Sequence, residues 1–343
     1  MKSLSDKALE RLRENAGIPD FTATRYSLRE RVARGGMGVV YLAEDEKLAR
    51  RVALKVLAAP HHDGELARRL IREAQVLARL EHPGIVPVHD VGTLADGRVY
   101  YAMKFVEGRR LDKHIESVGS IPDRLRLFLR ICDAVAFAHA RGVLHRDLKP
   151  SNIMVGPFGE VLVMDWGLAK ILPAPINDEV AESDPNTTTA SSLAKKVEND
   201  ATPIVAVTGH GTVMGTPGYM SPEQARGESG RVTERSDIFS LGALLQFLLA
   251  ADSPGADAHS PRFHRSLAAI HQKATAQEPE HRYTRVTQLA ADVSRYLDGL
   301  PVTARKETLV DKTARFYRRY RIAMFLIAAY LLMRIALLLF TRH

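Results

Sequence analysis

The chain has 343 residues, 45% hydrophobic and 26% charged, enough apolar material for one large or two modest buried cores. Its single cysteine, Cys132, excludes an internal disulfide framework and a cysteine-built zinc site, and it points to a reducing compartment. A formal net charge of +8 admits nucleic acid or an anionic membrane surface as partner.

Residues 1–25 are charged, with a short helical pattern through Leu4, Leu9 and Leu12 and no signal-peptide core, so the N-terminus is expected to stay in the cytoplasm. Strand-like runs follow at 39–43, 52–57, 85–91 and 99–105, with Asp96-Gly97 as the tight turn between the last two. Between 64 and 80, Leu66, Leu70, Ala74, Leu77 and Leu80 recur at helical spacing. One helix among five strands predicts a small sheet-based lobe over 26–107. From 108 to 300 the pattern turns mainly helical, at 121–141, 233–250, 264–275 and 286–298. Residues 171–207 are rich in Ser, Thr, Asp, Glu, Asn and Pro, which predicts a flexible insertion. The densest basic cluster, Arg315, Arg318, Arg319 and Arg321, lies in segment 301–321, just ahead of the most apolar stretch. That stretch, 322–340, would measure about 28 Å as a helix, close to the ~30 Å hydrocarbon core. Arg334 opposes insertion but is off-centre and can snorkel. A single-pass anchor in the inner (cytoplasmic) membrane is therefore expected, with the main body cytoplasmic by the positive-inside rule. Only Thr341, Arg342 and His343 would lie beyond it. No basic–aromatic interleaving occurs elsewhere, so nucleic acid is not expected. Association of two chains through the apolar tail stays open. The histidines show no metal-ligand spacing; His61, His62, His264 and His271 read as solvated surface.

The run His145-Arg146-Asp147-Leu148-Lys149-Pro150-Ser151-Asn152, followed by Asp165-Trp166-Gly167, puts two acids, a lysine and an amide on neighbouring loops. This set of groups can move a phosphoryl group from a metal-bound nucleoside triphosphate to a hydroxyl. Upstream, Gly35-Gly36-Met37-Gly38 lies between strand-like runs, where glycines let backbone N–H groups approach phosphates. Lys55, in Val52-Ala53-Leu54-Lys55, can reach those phosphates, and Glu73 on the following helix can hold the ammonium by charge pairing. Either residue alone reads as an ordinary surface charge. The combination does not.

With these motifs in order from about 26 to 300, the chain resembles the bacterial, membrane-anchored, eukaryotic-type (Hanks-type) serine/threonine protein kinases. The resemblance implies an α+β, two-lobed kinase fold: a β-rich N-lobe with one main helix and a larger helical C-lobe, here with a C-terminal transmembrane helix. It implies ATP and Mg²⁺ (or Mn²⁺) as cofactors and proteins as substrates. ATP would be bound by Ala33, Arg34, Gly35, Gly36, Met37, Gly38, Val40, Ala53, Lys55 and Glu73, with Met103 as gatekeeper and a hinge at Lys104 to Val106. Asp147 and Lys149 would be catalytic, the first orienting the hydroxyl and taking its proton, the second stabilising the transferring group. Asn152 and Asp165 would hold the metal, and Thr216 in Gly215-Thr216-Pro217 would sit in the substrate groove. Glu223 of Ser221-Pro222-Glu223 should pair with Arg282, and Asp237 should cap the catalytic loop. Arg146 implies a phosphate on the activation segment, with Thr208 and Thr212 as candidate autophosphorylation sites.

Some positions depart from the family pattern. Ala33 stands at the first glycine of the loop, Trp166 replaces the usual Phe, and the stretch between Leu249 and Arg262 is short and polar where a helix is usual. Two rivals remain: a pseudokinase scaffold, opposed by the full set of catalytic groups, and a small-molecule kinase, opposed by Gly215-Thr216-Pro217 and the Ser-Pro-Glu helix start.

Overall fold

The computed structural model describes residues 17–35, 38–58, 64–171, 218–250, 261–305 and seven positions between 324 and 333. A five-stranded antiparallel sheet forms the first lobe. It comprises β1 (Tyr26–Arg34), β2 (Gly38–Asp45), β3 (Arg50–Leu57), β4 (Val88–Thr93) and β5 (Val99–Lys104), in the order β1-β2-β3-β5-β4. Period-two alternation along these strands divides their side chains between two cores. Ala53, Leu57, Val99, Tyr101 and Met103 face the core continuous with the second lobe. Tyr26, Val39, Tyr41, Val52, Leu54, Val56 and Tyr100 face a separate outer core that Phe21 and Leu94 complete.

Helix α1 (Glu65–Arg79) packs under the inner face with Leu70, Ala74, Val76 and Leu77 buried, and Glu73 buried among them. The strand expected at 85–91 is displaced to Val88–Thr93. Ile85 instead makes an isolated parallel bridge to Val163, and Gly84 O accepts from Val163 N at 2.8 Å, which ties the first lobe to the second.

The second lobe is built on α3 (Ile121–Ala140), which follows β6 (Arg109–Arg110) and the short α2 (Leu111–His114). Ser120 caps α3 through its side chain, accepting from Asp123 N, and Pro122 sits in the first turn. Short strands β7 (Val143–Leu144), β8 (Ile153–Val155), β9 (Val161–Val163) and β10 (Lys170–Ile171) carry the loops between them. Next come α4 (Pro222–Ala225), the central α5 (Glu234–Ala250), α6 (Pro261–Ala274) and α7 (Val286–Leu297). In α5, Ile238, Leu241, Leu244, Leu245 and Leu248 are wholly buried. His271, read from sequence as solvated, is half-buried, with Nδ1 3.1 Å from Gly242 O.

The insertion expected at 171–207 and the short stretch 249–262 lie largely outside the described residues. Among the described residues no helix is long and apolar enough to cross a membrane. Most of the expected span 322–340 is outside them. The positions that are described there, including Met324, Leu326, Ile327, Tyr330, Leu331 and Met333, are helical and exposed.

Candidate active site

Two clusters, one on each lobe, flank Asp165: Lys55 contacts it directly and Lys149 acts on its charge. On the first lobe, β3 presents Lys55 and α1 presents Glu73. Lys55 Nζ lies 2.7 and 2.8 Å from the two Glu73 carboxylate oxygens and 3.4 Å from Asp165 Oδ1. Burial works against the Lys55 charge, but the Glu73 and Asp165 carboxylates outweigh it and raise its pKa above the usual lysine value. Asp165 is the reverse case. Burial would raise its pKa, and Lys55, His145 and Lys149 together pull it below the ordinary carboxylate range.

On the second lobe, Lys149 Nζ donates to Asp147 Oδ2 at 2.6 Å, and Asn152 Nδ2 donates to Asp147 O and Oδ2 at 2.9 and 3.1 Å. Asp237, wholly buried on α5, orients this loop by accepting from His145 N at 2.9 Å and Arg146 N at 2.8 Å, while His139 Nε2 lies 2.7 Å from it. Arg146 and Asp165 both adopt positive φ, 70° and 58°, which side-chain-bearing residues hold only when their surroundings dictate it. The Asp237 bonds supply that constraint for Arg146. At Asp165 it comes from Met164, whose N–H donates to Asn152 O at 2.8 Å and whose carbonyl lies 3.0 Å from His145 Nε2. Trp166 packs 4.6 Å from the His145 ring, and its Nε1 donates to Val163 O at 3.2 Å. The larger aromatic is thus accommodated with its polar atom paired, 1% exposed.

The described nucleotide residues expected on the sheet are spread over β1, β2, β3 and β5. Ala33 and Arg34, exposed on β1, pair with Val40 and Val39, and Gly35 N donates to Gly38 O at 2.9 Å to close the turn. Gly36 and Met37 are outside the described residues. At Gly38 a side chain is excluded, since a Cβ would stand 2.3 Å from Val56 O. Val40, Ala53, Lys55 and Met103 share the inner face; Ala53 lies opposite Met103, and Val40 opposite Lys55. Lys104 is exposed and Val106 buried. Thr208, Thr212 and Thr216 lie outside the described residues.

The expected Glu223–Arg282 pair is present and bidentate, at 2.8 and 2.9 Å, with both side chains 0% exposed. Arg146 Nε is buried without a hydrogen-bond partner. Burial lowers the Arg146 pKa despite Asp237 nearby, and burial together with Arg146 lowers that of Lys170. Sequence reasoning missed Tyr101, whose hydroxyl donates to Glu73 Oε1 at 2.9 Å. It also missed His139. Neither belongs to a local motif, and no spacing signal marks them.

The donor set fits a divalent metal of the Mg²⁺ type. Asp165 offers carboxylate oxygens with its side chain 50% exposed, and both Asn152 N–H bonds run to Asp147, leaving the amide oxygen available. Among the described residues no three or more His, Cys, Asp or Glu converge. A hard cation that keeps waters and phosphate oxygens needs no fuller protein cage.

Residues 26–306 match the protein kinase domain family. The chain is 34% identical over 323 residues to a serine/threonine-protein kinase PknD of Protochlamydia amoebophila, covering 83% of this chain and 31% of that protein. It is 34% identical over 325 residues to the PknD of Chlamydia abortus, covering 85% and 33%. The chain thus spans about a third of the length of these curated relatives. A crystal structure of the Mycobacterium tuberculosis PknI kinase domain superposes with a TM-score of 0.54 at 25% identity, covering 81% of this chain and 97% of that one. The chain belongs to the protein kinase family, among the bacterial Hanks-type serine/threonine kinases.

Proposed function

We propose that this chain is an active serine/threonine protein kinase that transfers the γ-phosphoryl group of ATP to protein hydroxyls. The observation that carries this is that the Lys55–Glu73 pair reaches Asp165 from the first lobe, while on the second lobe Lys149 and Asn152 both hold Asp147, with Lys149 near enough to act on the Asp165 charge. Lys55, anchored by Glu73, holds the nucleotide phosphates; Val40, Ala53 and Met103 offer the adenine an apolar wall, with the hinge at Lys104 to Val106. Asp147 orients the substrate hydroxyl and accepts its proton, and Lys149 offsets charge on the transferring group. Asp165 and Asn152 are the residues that would hold Mg²⁺ or Mn²⁺, which when bound neutralises phosphate charge and orients the leaving group.

Arg146 and Lys170 supply cationic charge where a phosphorylated activation segment would dock, and Thr208 and Thr212 are the proposed autophosphorylation sites. The exposed apolar helical residues between 324 and 333, with the basic cluster before them, support an inner-membrane anchor over 322–340 and a cytoplasmic kinase region. Its lobes are taken as 26–107 and 108–300.

The test is transfer of label from γ-labelled ATP to a protein substrate by the full-length chain, with Mg²⁺ or Mn²⁺, followed by phosphoamino-acid analysis. Label on Ser or Thr that falls by about 10²–10⁴-fold in Asp147→Asn, with nucleotide binding retained, is the expected result. Binding without transfer in the unaltered chain would assign it to the scaffolds instead.

A further inference from the structure

Tyr101 lies directly opposite Lys55 in the β3–β5 pairing, so both side chains leave the sheet on the face that meets α1. The Tyr101 hydroxyl donates to Glu73 Oε1 at 2.9 Å, and Lys55 Nζ stands 5.9 Å from its ring centre. Tyr101 is 1% exposed and Glu73 2% exposed. For packing alone, Phe would fill this place without burying a polar atom. Burial, reinforced by the Glu73 carboxylate, keeps the phenol far above the ordinary tyrosine pKa. The hydroxyl is therefore protonated and serves as a donor. Glu73 accordingly receives two contacts from Lys55 and one from Tyr101. These holds differ in kind. Lys55 is the group that must also serve the phosphates, so its grip on Glu73 is shared during the reaction. The grip of Tyr101 is not shared.

We propose that Tyr101 is a positioning residue that keeps Glu73, and with it α1, turned towards Lys55 whether or not nucleotide is bound. Its consequence for turnover rests on the kinase reading above. Without the hydroxyl, a nearly inaccessible carboxylate depends on Lys55 alone. Outward movement of α1 would hydrate that carboxylate, at the cost of leaving Lys55 without its anchor. A smaller fraction of molecules would then be competent to bind ATP, and apparent affinity falls by that fraction while the saturated rate is largely kept.

The experiment is a double-mutant cycle on the full-length chain with Tyr101→Phe and Glu73→Gln. It is read by steady-state transfer and by ATP binding through the fluorescence of Trp166, the only tryptophan. In the unaltered background, Tyr101→Phe should raise KM and Kd for ATP about tenfold and change kcat less than about threefold, the factor expected for a hydrogen bond to a charged acceptor. In the Glu73→Gln background it should add less than about twofold, because the partner is already altered. Unchanged Kd, equal losses in both backgrounds, or a Tyr101→Phe chain that does not fold would each overturn the proposal. If the unaltered chain binds ATP but transfers nothing, the kinase reading falls alone, and the binding arm still decides Tyr101.

Discussion

Glu223 and Arg282 form the most enclosed ion pair among the described residues, and every nitrogen of Arg282 is used. Beyond the bidentate contact, its N–H groups reach Ala276 O, Gln277 O and Arg235 O at 2.7–2.9 Å, while Ser236 Oγ donates to Glu223 at 2.7 Å. A buried pair so completed holds α4 against α5. Burial alone would raise the Glu223 pKa; the bonds from Arg282 dominate and bring it down to about 2. Because the folded value is depressed, this stability is present above the unfolded value and is lost as pH falls from about 4.5 towards 2. The loss is on the order of 3 kcal/mol. Comparing melting against pH for the unaltered chain and Glu223→Gln isolates this residue from other carboxylates. The variant should be less stable by about 3–5 kcal/mol at neutral pH and should lose less stability through the acid window. Parallel curves would remove Glu223 as the titrating group.

Among the elements, the stretch from Gly17 to Arg25 behaves as part of the sheet lobe, although it precedes β1. Phe21 is 4% exposed, its ring 5.0 Å from Tyr100 in an edge arrangement, and Arg98 donates to Gly17 O at 3.0 Å. The segment covers the outer sheet face, which would otherwise leave Tyr26, Tyr100 and Val56 against water. Phe21→Ala should destabilise the chain by about 3–5 kcal/mol in denaturant titration. The Lys55–Glu73 pair lies on the opposite face, so nucleotide affinity at low temperature should be unaffected. A change below about 0.5 kcal/mol would show that Phe21 is not part of the core. One aromatic in a charged segment carries no period, which is why pattern alone places these residues outside the lobe. Helices such as α3 and α7 present the contrary case. Their long apolar periods locate them to within a residue or so. The two- and three-residue strands β7 to β10 are too short to carry any period, and only pairing defines them.

For the chain in its cell, the proposed membrane anchor over 322–340 makes a separate prediction. The full-length protein should sediment with membranes, resist extraction by high salt and be released by detergent, whereas deletion of 306–343 should free it. Release of the intact chain by salt alone would reduce the tail to an electrostatic contact. The candidate site was legible because its most closely grouped residues, His145 to Asn152, are neighbours along the chain and can be recognised by order alone. The Glu223–Arg282 pair and the Asp237 cap were also legible, but through resemblance, since nothing local joins them. Packing settled which acid meets which base. Lys55 and Asp165 are 110 positions apart, and His139 and Asp237 are 98 apart. Tyr101 reaches Glu73 because β5 aligns with β3 in one register and α1 docks beneath that face. Such contacts are made by strand register and lobe closure, which sum many weak interactions spread over the chain and leave no mark in any short run of residues.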